Sequence, residues 1–198
     1  VLGSKDAKKE IILEVAKKHF ESYGYKRTVI DDIVREVGIA KGTFYLYFPS
    51  KEKLFVQVLD GLRARLMGEL LPIMEGTESP REKLRAMLTF TFEALNDPFL
   101  SSLYKDGSEF QLILNLVDQP DWKQEIDNSI TMIKGLIMDG IEKGEFREDL
   151  DVDAIPFLIG SLKFLHYYKD VVTRDLLESD RLVASIIDVF ISGLSKKD

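Results

Sequence analysis

The stretch KGTFYLYFPSKEKLF, residues 41–55, sets Phe44, Tyr45, Leu46, Tyr47 and Phe48 side by side. A helix turns about 100° per residue, so it cannot bury all five. Phe44 and Phe48 fall within about 40° of one another and form the inward pair. Leu46 lies about 200° from Phe44, in an outward half that it shares with Gly42 and Thr43. Tyr45 and Tyr47 flank that face, one on each side. No acid occurs from Val37 to Lys51, while Lys41 and Lys51 are both present. A single outward leucine usually packs on a neighbouring element. Here the whole face is unusual: small at Gly42 and Thr43, apolar at Leu46, hydroxyl-bearing at its edges. A DNA major groove would use such a face well, since it admits a helix and presents thymine methyls to apolar side chains. Gly42 lets the backbone approach base edges, and Thr43 can donate, accept or touch a methyl. Each tyrosine hydroxyl can reach toward one phosphate wall.

The flanking sequence supplies a frame for this helix. Ile12, Leu13, Ala16 and Phe20 mark the apolar face of a first helix, which Ser22-Tyr23-Gly24 ends. Thr28 is placed to cap a second helix, with Asp31 and Asp32 in the first turn, where the helix dipole favours acids. Its apolar positions, Ile30, Ile33, Val34 and Val37, recur at i, i+3, i+4 and i+7. Gly38 breaks it, and the third helix runs from about Ala40 to Phe48. Two helices joined by a tight turn, the second facing outward, make a helix-turn-helix. Ser50 can cap a long fourth helix carrying Leu54, Phe55, Val58, Leu62 and Leu66. The free N–H groups at its start, with Lys51, form an anion site on this reading.

Residues 11–55 resemble the DNA-binding domain of the TetR family of bacterial repressors. The matching positions are Thr28, Ile33, the run Val37-Gly38-Ile39-Ala40-Lys41-Gly42-Thr43-Phe44-Tyr45, and Tyr47-Phe48-Pro49-Ser50-Lys51-Glu52. The motif covers about a quarter of the chain; the remainder matches that family only in its helical layout. The resemblance implies that Lys41, Gly42, Thr43 and Leu46 face bases and that Thr28, Tyr45, Tyr47 and Lys51 hold phosphates. Many relatives carry histidine where this chain has Tyr47; the hydroxyl can still donate to phosphate, but a pH-sensitive contact is lost. Lys41 and Thr43 are the only polar base readers, so specificity rests partly on methyl contacts and DNA shape.

Beyond the motif the chain also reads as helix, and the expected fold class is all-α. A helix-turn-helix domain over 5–52 precedes a larger helical effector-binding and dimerisation domain over 53–198, with the physical boundary inside the long fourth helix. Ser79-Pro80-Arg81-Glu82 is a capping box with proline at the first helical position. It opens a helix to about Asn96. Further helices are expected from about Asp121 to Lys143, from a cap at Asp153 to about Val172, and from about Ser179 to Leu194. The 144–151 turn resembles the link before the family's dimer helices. The last two helices are apolar on more than one face. Either both faces are buried within one chain, or one packs on a twofold mate. The resemblance implies the second, a four-helix interface using Leu158, Leu162, Leu165, Val183, Ile187 and Phe190.

The middle helices are rich in methionine and phenylalanine. Such a stripe is usually core, but methionine also suits an adaptable apolar pocket. By the resemblance these helices hold an effector, which the shortage of charges makes lipophilic. Met87, Phe90, Phe110 and Met132 are the candidate lining, with His166 either a polar anchor or a histidine satisfied in the core.

Composition limits the rivals. The 198-residue chain carries a net charge of −7, distributed as +2 over residues 1–52 and −9 over the rest, so only the front suits a polyanion. With no cysteine, disulfides, cysteine-based zinc sites and cysteine nucleophiles are excluded. Without GxSxG, a P-loop or HExxH, and with only His19 and His166 as histidines, an enzyme has little support. No cofactor or metal is expected. No apolar run spans a membrane, and the expected location is the cytoplasm. The expected function is that of a repressor released from palindromic double-stranded DNA by a small apolar effector, acting as a homodimer. Regulation by a protein partner is the alternative.

Overall fold

The computed structural model describes residues 4–105, 120–162 and 178–196. Predicted sites Phe110, Leu165 and His166 lie outside them. The described residues form α1 (Ser4–Arg27), α2 (Ile30–Val37), α3 (Lys41–Tyr45), α4 (Lys51–Glu75), α5 (Pro80–Ala94), α6 (Pro98–Lys105), α7 (Pro120–Glu142), α8 (155–162) and α9 (Ser179–Leu194). Among these residues the only β pairing is an isolated antiparallel bridge between Phe146 and Ser195. The protein is all-α.

The chain divides into two compact units, one holding α1–α3, α4 up to Gly68, and α6, the other holding α5 and α7–α9 with the end of α4. The division falls inside α4, because its first turns pack into the core of the first unit through Leu54, Phe55, Val58, Leu59 and Leu62.

In the first unit α1 packs on α2 and α6, and α2 on α3. Ile12, Ala16 and Phe20 recur every four residues and are buried, as one face of a helix must be. Phe20, Tyr25, Phe55 and Phe99 form an aromatic cluster with centroids 4.9–6.4 Å apart. Most pairs meet edge-on or tilted, as ring quadrupoles favour. Gly24 adopts φ 74°, ψ 166° and interrupts α1, so the regular helix stops where the sequence predicts and a further turn follows. Gly38, at φ 75°, closes α2 in the left-handed conformation, its N–H reaching back into the last turn.

In the second unit α5 packs on α7 and α9. The capping box forms as expected: the Ser79 hydroxyl accepts from the Glu82 N–H and the Glu82 carboxylate accepts from the Ser79 N–H. Ile187, Ile191 and Leu194 form the inward stripe of α9, and Arg85 of α5 pairs with Asp188 at 2.6 Å. The 144–151 turn is fastened to the end of α9 by Arg147 N–H to Leu194 O and Lys196 N–H to Glu145 O. The Phe146 ring fills the space a side chain at Gly140 would need.

Two expected caps are corrected. Val29, not Thr28, is the N-cap of α2, without a side-chain bond. Before α8, Asp151 accepts from the Asp153 and Ala154 N–H groups, while the Asp153 carboxylate pairs with Lys134.

Candidate nucleic-acid interface

The regular part of α3 ends at Tyr45, yet the chain keeps turning. Tyr47 N–H and Phe48 N–H both donate to Phe44 O, at 2.9 and 3.0 Å. Phe44 and Phe48 are wholly buried, and Leu46 is 79% exposed. Gly42 is exposed, Thr43 and Tyr47 are half-buried, and Tyr45 is exposed with its ring edge-on to Phe44 at 5.4 Å. The inside-outside assignment of residues 42–48 therefore matches the helical wheel. Leu46 stands in water between two tyrosines, which no core requirement explains.

Lys41 starts α3 and is exposed, its ammonium 2.8 Å from the Asp31 carboxylate of α2. That carboxylate, by hydrogen bond first and charge second, holds the ammonium above the usual lysine range. The pair links the first turns of the two helices and puts an acid beside the proposed base reader, which the sequence reading missed. His19 of α1 meets Glu36 of α2 at 2.7 Å, a second tie across the motif.

Two predicted phosphate ligands are engaged inside their own unit. Thr28 is only 1% exposed, and its hydroxyl donates to Gly24 O at 2.7 Å and His19 O at 3.1 Å. Its one O–H is engaged and faces inward. Lys51 opens α4, but its ammonium is turned away from the free N–H groups there. It donates to Tyr25 O at 2.7 Å, Thr28 O at 2.9 Å and Lys26 O at 3.3 Å, and stands 4.4 Å from the Tyr25 ring centroid. Burial holds it below the usual lysine range. The α4 start is capped by Ser50, whose hydroxyl accepts from Lys53 N–H at 3.1 Å.

The predicted effector and dimer residues that are described fall in the second unit. Met87 is buried in the α5 core with Leu84, Leu88 and Phe92, while Phe90 and Met132 are half-buried. An open groove of about 720 Å³ runs beside Arg147, Glu148, Asp149, Ser192 and Lys196. None of the predicted lining residues among those described borders it, and its charges of both signs do not suit a lipophilic ligand.

Of the predicted dimer residues, Leu158 is half exposed and Leu162, Val183 and Phe190 are half-buried. Ile187 is corrected: at 4% exposure it belongs to the core of its own chain. Phe157 and Val189, which the sequence reading did not single out, are 65% and 74% exposed. Among the described residues no helix is long and apolar enough to cross a membrane.

Residues 12–58 match the family model described as bacterial regulatory proteins, tetR family. Over 159 residues the chain is 30% identical to the HTH-type transcriptional repressor KstR2 of Mycobacterium tuberculosis, spanning 78% of this chain and 77% of the relative. The solved structure of that ketosteroid transcriptional regulator superposes with a TM-score of 0.70 at 24% identity, covering 96% of this chain and 95% of the other. The regulator FadR of Bacillus subtilis, solved in complex with stearoyl-CoA, matches with a TM-score of 0.70 at 21% identity, covering 93% and 98%.

Proposed function

Since the chain belongs to the TetR family, a family of DNA-binding transcriptional regulators, we propose that it is a repressor released from a palindromic operator by a small lipophilic effector. One observation carries the DNA half of this reading. Leu46 is held out in solvent by a helix whose neighbouring aromatics, Phe44 and Phe48, are wholly buried. In the major groove Leu46 meets thymine methyls, with Lys41, Gly42 and Thr43 along the bases and the Tyr45 and Tyr47 hydroxyls on phosphates.

A helix-turn-helix protein that reads two half-sites needs a twofold mate. We assign that contact to the apolar side chains left outside the monomer, Phe157, Leu158 and Val189, with Leu162, Val183 and Phe190 at their edges. We put the effector site among Met87, Phe90 and Met132; the other predicted members, Phe110 and His166, lie outside the described residues. Its lipophilic character is supported by the methionine and phenylalanine content and by the acyl thioester bound to a structural relative. A regulator that acts on DNA is read here as a cytoplasmic protein.

The reading face and the residues Met87, Phe90 and Met132 belong to different compact units, and α4 contributes to both. Release therefore acts through the body, and α4 is the lever. The two ligands must then be reciprocal: the factor by which effector weakens operator binding equals the factor by which operator weakens effector binding. The test begins with selection of duplexes from a random pool. A thermal-shift screen of fatty acids, acyl thioesters, steroids and aromatics follows, and each hit is titrated with and without the selected duplex. A palindrome and unequal effector affinities are expected. Equal affinities rule out the switch, and failure to enrich any palindrome rules out the operator.

A further inference from the structure

The position of Lys51 raises a question that the reading face does not answer. A lysine at the first turn of a helix beside a DNA-reading motif is well placed for phosphate, yet here its ammonium is folded back. It has three donors, and three carbonyls take them: Tyr25 at 2.7 Å, Thr28 at 2.9 Å and Lys26 at 3.3 Å. Those acceptors are available because Gly24 breaks α1, so carbonyls beyond the break lack regular helical partners. A cation at a helix C-terminus also complements the helix dipole.

The same corner is closed from the apolar side. The Tyr25 ring beneath the ammonium packs against Phe55, one turn along α4 from Lys51, with centroids 4.9 Å apart. Thr28 completes it: its hydroxyl and its N–H both bond Gly24 O, and its own carbonyl is one of the Lys51 acceptors. Thr28 leads directly into the N-cap of α2, and α2 leads through Gly38 into α3. Lys51 thus grips the segment from which the reading pair departs.

We propose that Lys51 is a positioning residue for operator recognition: through the Tyr25, Lys26 and Thr28 carbonyls it fixes α2–α3 against α4, and it does not contact phosphate. This rests on the operator-binding reading above. Turning the ammonium to a phosphate would strip three carbonyls, two of them in part-buried bonds, of their donor at the moment when the motif must be most rigid. A guanidinium would still serve a phosphate, but its planar fork does not reproduce a point cation gripped by converging carbonyls.

The experiment uses the full chain with Lys51→Met and Lys51→Arg. The probes are a duplex enriched by the wild-type protein from a random pool and a shuffled duplex of the same composition. Affinities are read by anisotropy at rising salt, well below each variant's unfolding temperature. Both variants should lose at least about tenfold on the enriched duplex and stay within about twofold on the shuffled one, eroding the ratio of specific to non-specific binding. The salt slope should not change. If Lys51 holds a phosphate, Lys51→Met instead loses equally on both duplexes, its slope falls by about 0.9, and Lys51→Arg is spared; that result overturns the proposal. Unchanged binding with only a lower Tm, or the collapse of both variants by circular dichroism, assigns the residue to folding alone and also overturns it. A wild-type protein that enriches no duplex sinks the operator reading and this proposal with it, whereas the other failures leave that reading standing.

Discussion

The two compact units use exposed apolar side chains differently. In the first, Leu46 is 79% exposed beside two wholly buried phenylalanines in the same turn. The face around it is small and hydroxylated, which suits a polar groove lined with methyls. In the second, Phe157 and Val189 are exposed on helices whose opposite sides, Ile155 with Ile159 and Ile187 with Ile191, are buried. There the exposed side chains are large and aliphatic or aromatic, which suits a dry contact with a second copy. Exposure alone does not separate the two cases; the neighbours do.

The sharpest break of this comparison lies within the first unit. Phe44→Ala should cost about 3–5 kcal/mol of stability, the range for a buried phenylalanine that leaves a cavity. Leu46→Ala, two residues away, should stay within about 0.5 kcal/mol, as surface changes do. Leu46→Ala should instead relax base preference at one or two operator positions, by about 1–3 kcal/mol at most. Urea denaturation of both variants and a point-variant duplex set supply the readouts. Equal stability losses would return Leu46 to the core.

In the second unit the matching variant is Phe157→Asp with Val189→Asp. Like charges brought together across a twofold contact cost several kcal/mol, so sedimentation should show a monomer and operator binding should fall with it. Helical content should remain native, since both residues are already solvated in the single chain. A dimer that survives both changes would place the contact elsewhere. Gly140→Ala probes the interior of the same unit. A Cβ there would lie 2.1 Å from the Phe146 ring. Overpacking of this kind costs about 1–3 kcal/mol, read as a lower urea midpoint. No loss would mean that the 144–151 turn yields freely.

What the sequence made legible follows the range of the forces involved. Phe44, Leu46 and Phe48 were sorted correctly because their fate depends on period alone within one turn. The Ser79–Glu82 capping box was readable for the same reason, since caps are local chemistry, and α9 spans Ser179–Leu194 where its apolar pattern put it. Lys51 was not readable: the carbonyls it grips lie 23–26 residues earlier and are available only because Gly24 breaks α1. Thr28 turned inward for the same reason, because its hydroxyl reaches back nine residues to His19 O. The sequence reading turned Ile187 outward because apolar residues fill more than half the circumference of α9 beside its one polar stripe, Arg181, Ser185, Asp188 and Ser192. That stripe does not set which part of so wide an apolar arc meets α5. Packing decides it, aided by the Arg85–Asp188 pair.

The smallest expected effect concerns the acid beside the reading face. Asp31 and Lys41 pair at 2.8 Å with both side chains more than half exposed, so solvent screens the pair and little stability rests on it. Asp31→Asn should leave the Tm nearly unchanged. Its influence lies in how DNA sees the motif. The carboxylate offsets the Lys41 ammonium and repels any phosphate that approaches without the correct groove geometry. Such a device weakens wrong complexes more than the right one. Asp31→Asn should therefore raise affinity for a shuffled duplex by a few fold and steepen its salt slope by up to about 0.9, one more effective cation. Affinity for the selected duplex should rise less, because there the ammonium is already directed to bases. Anisotropy titrations of both duplexes over a salt series measure the difference. An equal gain on the two would reduce Asp31 to a helix-start acid that happens to lie near Lys41, and would leave discrimination wholly to the face made by Gly42, Thr43 and Leu46.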